Sequence, residues 1–240
     1  MPSGSDSQAG QLYADGRYAA LNPGWHVRDS AWKAEQLLEM LSRHGLDPGH
    51  VVEIGCGAGE VLAQMKARLP ADTRFEGWDI SPDAIGLARR RADARISFHQ
   101  GDLLADSGGG YDLLVAADVV EHVPDYMGFL ERLRTQATWK LFHFPLDLSV
   151  QSLLRRDRLL RSRRELGHLH YFTRQTALAA LVDSGYSVID HAFTSPSLDR
   201  RCLRDPLPRL LRPARLLLYR IQPDFAARVL GGFSLLVLAR

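Results

Sequence analysis

Short apolar runs alternate along the chain with stretches of helical spacing. Val51, Val52 and Ile54 form the first run. Further runs predict strands at Arg74–Trp78, Arg95–His99, Tyr111–Ala117, Trp139–Pro145, Tyr186–Asp190 and Phe233–Ala239. Val51, Val52 and Ile54 are β-branched and apolar, as a strand covered on both faces requires. Between the runs, Ala34, Leu37, Leu38 and Leu41 make one helical stripe, Val61, Leu62, Met65 and Leu69 a second, and Ala177, Leu178, Leu181 and Val182 a third. Ser30, Ser81-Pro82 and Thr173 read as helix starts; Gly45 and Gly185 read as stops. Strands alternating with helices predict an α/β fold, a doubly wound and mostly parallel sheet with helices on both faces.

Two segments break that rhythm. Asp147–Glu165 reads as one helical stretch in which Leu153, Leu154, Leu159 and Leu160 alternate with six arginines. Between Ser195 and Gly232, Pro206, Pro208, Pro213 and Pro223 punctuate what read as short helices of Leu and Arg. The expected layout of 1–240 is one domain: an N-terminal lid and helix over 1–49, a core over 50–194, a helical Arg/Leu insertion over 195–232, and the last strand over 233–240. The insertion is expected to cap the site, to meet a partner, or to touch a membrane surface peripherally.

The chemistry gathers where the first strand ends. Gly55, Gly57 and Gly59 follow Ile54, a turn in which backbone and ligand can approach without a Cβ between them. Such a turn stands at the carboxyl edge of a parallel sheet, where these folds bind ligands. Glu53 inside the strand is costly unless a partner bonds it. Glu60 occupies the place of the third glycine of a dinucleotide fingerprint, which counts against a nicotinamide cofactor. Asp79 ends the second strand, where a carboxylate reaches a ribose diol. Asp102 follows the third strand, and Asp118-Val119-Val120-Glu121-His122-Val123 the fourth.

The run Glu53-x-Gly55-x-Gly57-x-Gly59 resembles motif I of the class I S-adenosylmethionine-dependent methyltransferases, and the run around Glu121-His122-Val123 resembles their motif IV. The resemblance covers about 51–194 and the last strand. It implies a Rossmann-like, seven-stranded sheet whose last strand enters antiparallel, with S-adenosylmethionine as cofactor. Carried over position by position, it places the cofactor against Glu53, Gly55, Cys56, Gly57, Gly59, Asp79, Ile80, Asp102, Leu103, Asp118 and Val119, with Asp102 at the adenine amine. It also implies a lid before motif I, for which Tyr18, Trp25, His26 and Trp32 are the aromatic candidates.

Methyl transfer from a sulfonium needs positioning and exclusion of water, and no metal intrinsically. A hydroxyl acceptor needs a base as well. His168, His170, His122 and His143 are the candidates, with Tyr171 as a positioning group. A metal held by His168 and His170 lacks an evident third ligand, so none is expected.

Charge is unevenly spread: residues 1–120 carry a net −6 and residues 121–240 a net +8, nearly all of it Arg. The Arg segments are interleaved with Leu, where RNA recognition calls for stacking aromatics, so nucleic acid is an unlikely partner. The expected acceptor is a small molecule or saccharide, with O-methylation ahead of N- or C-methylation; a dehydrogenase or a non-catalytic cofactor-fold module are the alternatives. Two cysteines, Cys56 and Cys202, make no disulfide framework, and Met1–Gly10 lacks an apolar signal core, so a reduced cytoplasmic protein is expected.

Overall fold

Each apolar run becomes a strand flanked by others, with helices closing over both faces. The structure is a computed structural model that describes residues 27–105, 109–198 and 206–240. In chain order its elements are α1 (Val27–Arg43), β1 (His50–Ile54), α2 (Glu60–Lys66), β2 (Arg74–Asp79), α3 (Pro82–Ala88), β3 (Ile96–Gln100), β4 (Tyr111–Ala117), α4 (Tyr126–Leu133), β5 (Ala137–Pro145), α5 (Val150–Leu154), α6 (Arg158–Glu165), α7 (Arg174–Asp183), β6 (Val188–Thr194), α8 (Pro206–Ile221), α9 (Pro223–Leu230) and β7 (Ser234–Ala239).

The strands form one seven-stranded sheet in the order β3-β2-β1-β4-β5-β7-β6. β1 to β5 pair in parallel, and β7 runs antiparallel to both β5 and β6. Successive residues of a strand serve opposite faces. Val52, Ile54, Leu114, Ala116, Phe142 and Phe144 fill one core layer with α4 and α7. Val51, Leu113, Val115 and Leu141 fill the other with Leu37, Met40 and Leu41 of α1 and Leu62 and Met65 of α2. A fully buried side chain of this size contributes about 1.5–3 kcal/mol, so the two layers fix which way every strand faces.

The helix signals hold in the main. Ser81 Oγ accepts from the Ala84 amide with Pro82 opening α3, and Thr173 and Thr176 form a reciprocal capping box on α7. Ser30 does not cap: α1 begins three residues earlier, and Ser30 is buried inside it. The Asp147–Glu165 stretch is two helices, because Ser149 and Ser152 cap α5 and the chain turns extended at Arg155. The prolines of the insertion divide it less than expected. Pro206 and Pro208 sit in the first turn of α8, where no partner is lost, and the helix runs on through Pro213. The strand expected at Tyr186–Asp190 lies at Val188–Thr194, because Tyr186 instead turns inward and donates its hydroxyl to the Leu130 carbonyl. Among the described residues no helix is long and apolar enough to cross a membrane.

The topology puts the ends of β1, β2, β4, β5 and β6 and the start of β7 on one edge. The 195–232 segment leaves β6 and re-enters at β7, so it departs from that edge too. Within it Ala226 and Ala227 of α9 enter the core, and Tyr219 of α8 stacks on Phe233.

Candidate active site

The edge is built around the glycine turn. Gly55, Gly57 and Gly59 all take positive φ, at 66°, 53° and 76°. A Cβ on Gly55 would stand 2.5 Å from Val119 Cγ2, and one on Gly59 2.5 Å from the Phe98 ring. The turn is therefore pressed between the exit of β4 and the side of β3, and only glycine takes this backbone there without strain. Cys56 donates its amide to the Trp78 carbonyl at 3.1 Å, carrying the β1–β2 pairing one residue into the turn. Its thiol is buried, and burial pushes its pKa well up, so Cys56 packs rather than reacts.

Two acids face this turn from different strands. Asp79 accepts from the Gly57 amide at 2.9 Å through Oδ2 and from the Ser81 amide at 2.8 Å through Oδ1. It thereby ties the glycine turn to the start of α3, and its oxygens keep further lone pairs for a ligand. Burial raises its pKa, opposed by these two amides. Glu53 is 3% exposed, and its Oε2 has no hydrogen-bond partner. Burial drives its pKa well up; Lys33 pulls it back and Asp79 adds to the rise. An unanswered buried acceptor beside a glycine turn fits a ligand that brings a cation, as the amino-acid end of S-adenosylmethionine does. Ile80, next to Asp79, leaves its large apolar side chain 47% exposed on the same edge. Asp102 is exposed and accepts from the Leu104 amide, while the side chain of Leu103 is spent in the core.

The exit of β4 is strained. Asp118 is the one non-glycine among the described residues with a positive φ, at 56°. Lys33 Nζ of α1 lies 2.5 Å from its Oδ2, and His143 Nδ1 of β5 2.6 Å from its Oδ1. Burial alone would raise the Asp118 pKa; Lys33 and His143 outweigh it and hold the group well below the carboxylate range. His143 Nε2 lies 2.8 Å from Thr194 Oγ1. With both ring nitrogens hydrogen-bonded and 4% exposure, His143 braces β4, β5 and β6. Trp32, expected in a lid, is buried edge-on to His143. Tyr18, Trp25 and His26 lie outside the described residues.

Beyond Asp118 the chain makes a short turn over Val120–His122, and the 167–170 loop docks on it: the Leu169 and His170 amides both donate to the Glu121 carbonyl. This brings His122 and His168 together, their ring centroids 5.0 Å apart. His122 Nδ1 lies 3.1 Å from the Gly167 carbonyl, and burial lowers its pKa to about 4 with His168 adding to the effect. His168 Nδ1 lies 2.6 Å from Asp147 Oδ2. His170 points elsewhere, its Nε2 3.2 Å from the Pro124 carbonyl and its ring against Tyr126. Tyr171 donates its hydroxyl to the Leu159 carbonyl of α6. Sequence reasoning gave no part to Lys33, Asp147, Thr194 or the carboxylate of Glu121. A lone lysine on an amphipathic helix and an acid after a strand carry no periodic signal; only the fold brings them here.

A parallel sheet with a glycine turn at the end of its first strand and acids at the ends of the next defines a nucleotide-cofactor fold. Comparison makes that specific. The family model described as a methyltransferase domain matches residues 25–191. The chain belongs to this methyltransferase-domain family, and its fold is that of the class I enzymes that use S-adenosylmethionine. A ubiquinone biosynthesis O-methyltransferase of Azorhizobium caulinodans is 40% identical over 87 residues, 34% of this chain and 33% of that protein. A release factor glutamine methyltransferase of Chlorobaculum tepidum is 37% identical over 95 residues, 34% of this chain and 32% of that protein. The matches thus span about a third of these relatives' lengths. Among solved structures, the magnesium protoporphyrin IX methyltransferase of Synechocystis with bound S-adenosylhomocysteine superposes with a TM-score of 0.58 at 19% identity, over 87% of this chain and 82% of that one. The N-methyltransferase NodS of Bradyrhizobium japonicum, also with S-adenosylhomocysteine, gives 0.55 at 18%, over 87% and 85%.

Proposed function

We propose that this chain transfers the methyl group of S-adenosylmethionine to a hydroxyl of a small molecule or saccharide. The observation that carries the cofactor half is the glycine turn with two acids over it, one of them unanswered. Glu53 would hold the cofactor's ammonium, Asp79 its ribose, and Ile80 with Asp102 its base, while Gly55, Gly57 and Gly59 let the backbone come close. When bound, the cofactor supplies an electrophilic methyl on a positive sulfur. The protein's part is then to aim the acceptor, exclude water and take a proton.

The acceptor half rests on the histidines past β4 and β5, on the same edge. His170 is the base in this reading. A carbonyl only accepts, so Nε2 donates its proton to Pro124 and the lone pair of the neutral ring sits on Nδ1. His143 is engaged on both sides, and His122 and His168 face each other in a buried cluster. A relative named a ubiquinone biosynthesis O-methyltransferase and neighbours named a magnesium protoporphyrin IX methyltransferase and an N-methyltransferase do not choose the acceptor atom; the placement of an imidazole base favours oxygen. His170→Ala tests this: turnover should fall by about 10²–10⁴-fold with cofactor affinity kept. Unchanged turnover removes the base and leaves the atom open.

A second reading concerns how the acceptor is delivered. The Arg-rich segments leave leucines uncovered: Leu153, Leu154 and Leu160 are 64%, 81% and 56% exposed, and no residue of α6 is buried. Leu217, Ile221 and Phe225 of the 195–232 segment are exposed too. Exposed leucines among arginines fit peripheral contact with an anionic membrane surface, and with it a lipid-linked acceptor.

A further inference from the structure

Glu121 sits at the centre of the edge with nothing to do in the reaction above. It is fully buried, and neither carboxylate oxygen has a hydrogen-bond partner. Its neighbour His122 holds Nε2 at 3.7 Å from Oε1, beyond hydrogen-bonding distance. A carboxylate taken out of water and left unbonded is among the costliest groups a protein can bury.

The two imidazoles beside it are turned in a particular way. A carbonyl oxygen can only accept, so the His122 contact to Gly167 puts the ring proton on Nδ1 and the lone pair on Nε2. The Asp147 carboxylate fixes His168 in the same sense through its Nδ1. Imidazoles that bind metals are oriented in this manner, with one ring N–H given to a carboxylate or carbonyl and the other nitrogen presented to the ion. One ligand atom each from Glu121, His122 and His168 lies within 4.8 Å of the other two.

We propose that Glu121, His122 and His168 bind one divalent first-row transition metal, with Asp147 and the Gly167 carbonyl as its outer supports. Two imidazole nitrogens and one carboxylate suit Zn²⁺, Mn²⁺, Fe²⁺ or Co²⁺ better than the all-oxygen preference of Ca²⁺ or Mg²⁺. Metal–ligand bonds of about 2.0–2.2 Å require the three atoms to draw together slightly on loading. The absence of a third ligand beside His168 and His170 was the ground for expecting no metal. The fold supplies that ligand by swinging His168 away from His170 and onto the Glu121-His122 pair. Three protein ligands leave coordination positions open, and on this edge an acceptor hydroxyl is the fitting occupant. That last step rests on the hydroxyl reading: a hydroxyl held there would give up its proton more readily, as metal-bound water does, and His170, the base of that reading, would receive it.

The test uses the whole chain, stripped with a chelator and titrated with Zn²⁺ and, separately, Mn²⁺ by calorimetry. Stoichiometric binding of one ion per chain is expected. Glu121→Gln and His168→Asn should each weaken it by more than about 10-fold, and Asp147→Asn by about 10- to 100-fold. Nitrogen coupling in the Mn²⁺ resonance spectrum of the wild type should shrink in His168→Asn. Each variant is also titrated with S-adenosylmethionine, where affinity within threefold of wild type shows the fold intact. A wild type that takes up neither ion stoichiometrically overturns the site, whatever the variants do. So does uptake that survives all three substitutions. If metal binds and S-adenosylmethionine does not, the site stands and the methyltransferase reading falls.

Discussion

Glu53→Gln should move stability and cofactor binding in opposite directions. Without ligand, Glu53 is a buried carboxylate with one oxygen unbonded, and burial lifts its pKa well above the ordinary 4.5. A carboxyl whose folded pKa is raised contributes stability that is fully present below the unfolded value and is lost as pH rises toward the folded value. Gln cannot ionise, so the variant escapes that loss: its melting temperature should gain on the wild type's as pH climbs from about 4.5. With ligand the sign reverses. A charge-assisted contact to the cofactor's ammonium is worth about 1.5–3 kcal/mol, so the variant should bind roughly 10- to 100-fold more weakly. At a cofactor concentration of about 100 times the wild-type Kd, linkage stabilises the wild type by about 2.7 kcal/mol, and a 100-fold weaker variant by only about 0.4 kcal/mol. For a chain of this size that is a ligand-induced shift of about 5–10 °C against about 1–2 °C. Scanning calorimetry at pH 5 and pH 8, with and without S-adenosylmethionine, reads both effects. Equal ligand-induced shifts in the two proteins would refute the assignment of Glu53 to the ammonium.

Asp79→Ala removes the tie between the Gly57 and Ser81 amides as well as the ribose acceptor. Cofactor affinity should drop about 10- to 100-fold with some loss of melting temperature; unchanged affinity in a folded variant takes Asp79 out of the site. His143→Ala should behave unlike His170→Ala, lowering stability by loosening β4 from β6, and a variant with normal melting and lost turnover would make His143 the base instead. Wild type should co-sediment with vesicles rich in anionic lipid and fall off as salt rises, and Leu153→Asp with Leu154→Asp should abolish it; a wild type that stays in solution ends the membrane reading.

The strands β1, β4, β5 and β7 were legible because they are buried almost throughout, whereas the edge strand β6 is mostly half-exposed and was placed too early. The position of Asp79, Glu53 and Gly55 on the edge was legible, since each lies within a residue or two of a strand end and the parallel topology sends those ends to one edge, with Gly57 and Gly59 following in the turn. Ser30 misled because it matches the capping chemistry but sits on the buried side of a helix that starts earlier. His143 stands near the end of a strand on the ligand edge, and only the position of Thr194, 51 residues away, shows that its second nitrogen is engaged. The grouping of His168 with His122 was hidden in the same way, since sequence proximity paired it with His170.

Asp118 links the two halves of the edge. A non-glycine residue at positive φ carries a cost of about 1–3 kcal/mol that persists only where neighbours over-determine it. Here Lys33 from α1 and His143 from β5 grip the two carboxylate oxygens. The turn they enforce sends Val119 back against Gly55 and sets Glu121 and His122 on the far side, next to the 167–170 loop. One strained residue thus fixes the distance between the turn proposed to hold the cofactor and the histidines proposed to receive the acceptor. In-line transfer depends on that distance, since a misplacement of about 1 Å can cost about 100-fold in rate. The two carboxylates on the edge differ in this: both oxygens of Asp118 are gripped, by Lys33 and His143, whereas Glu53 Oε2 has no hydrogen-bond partner.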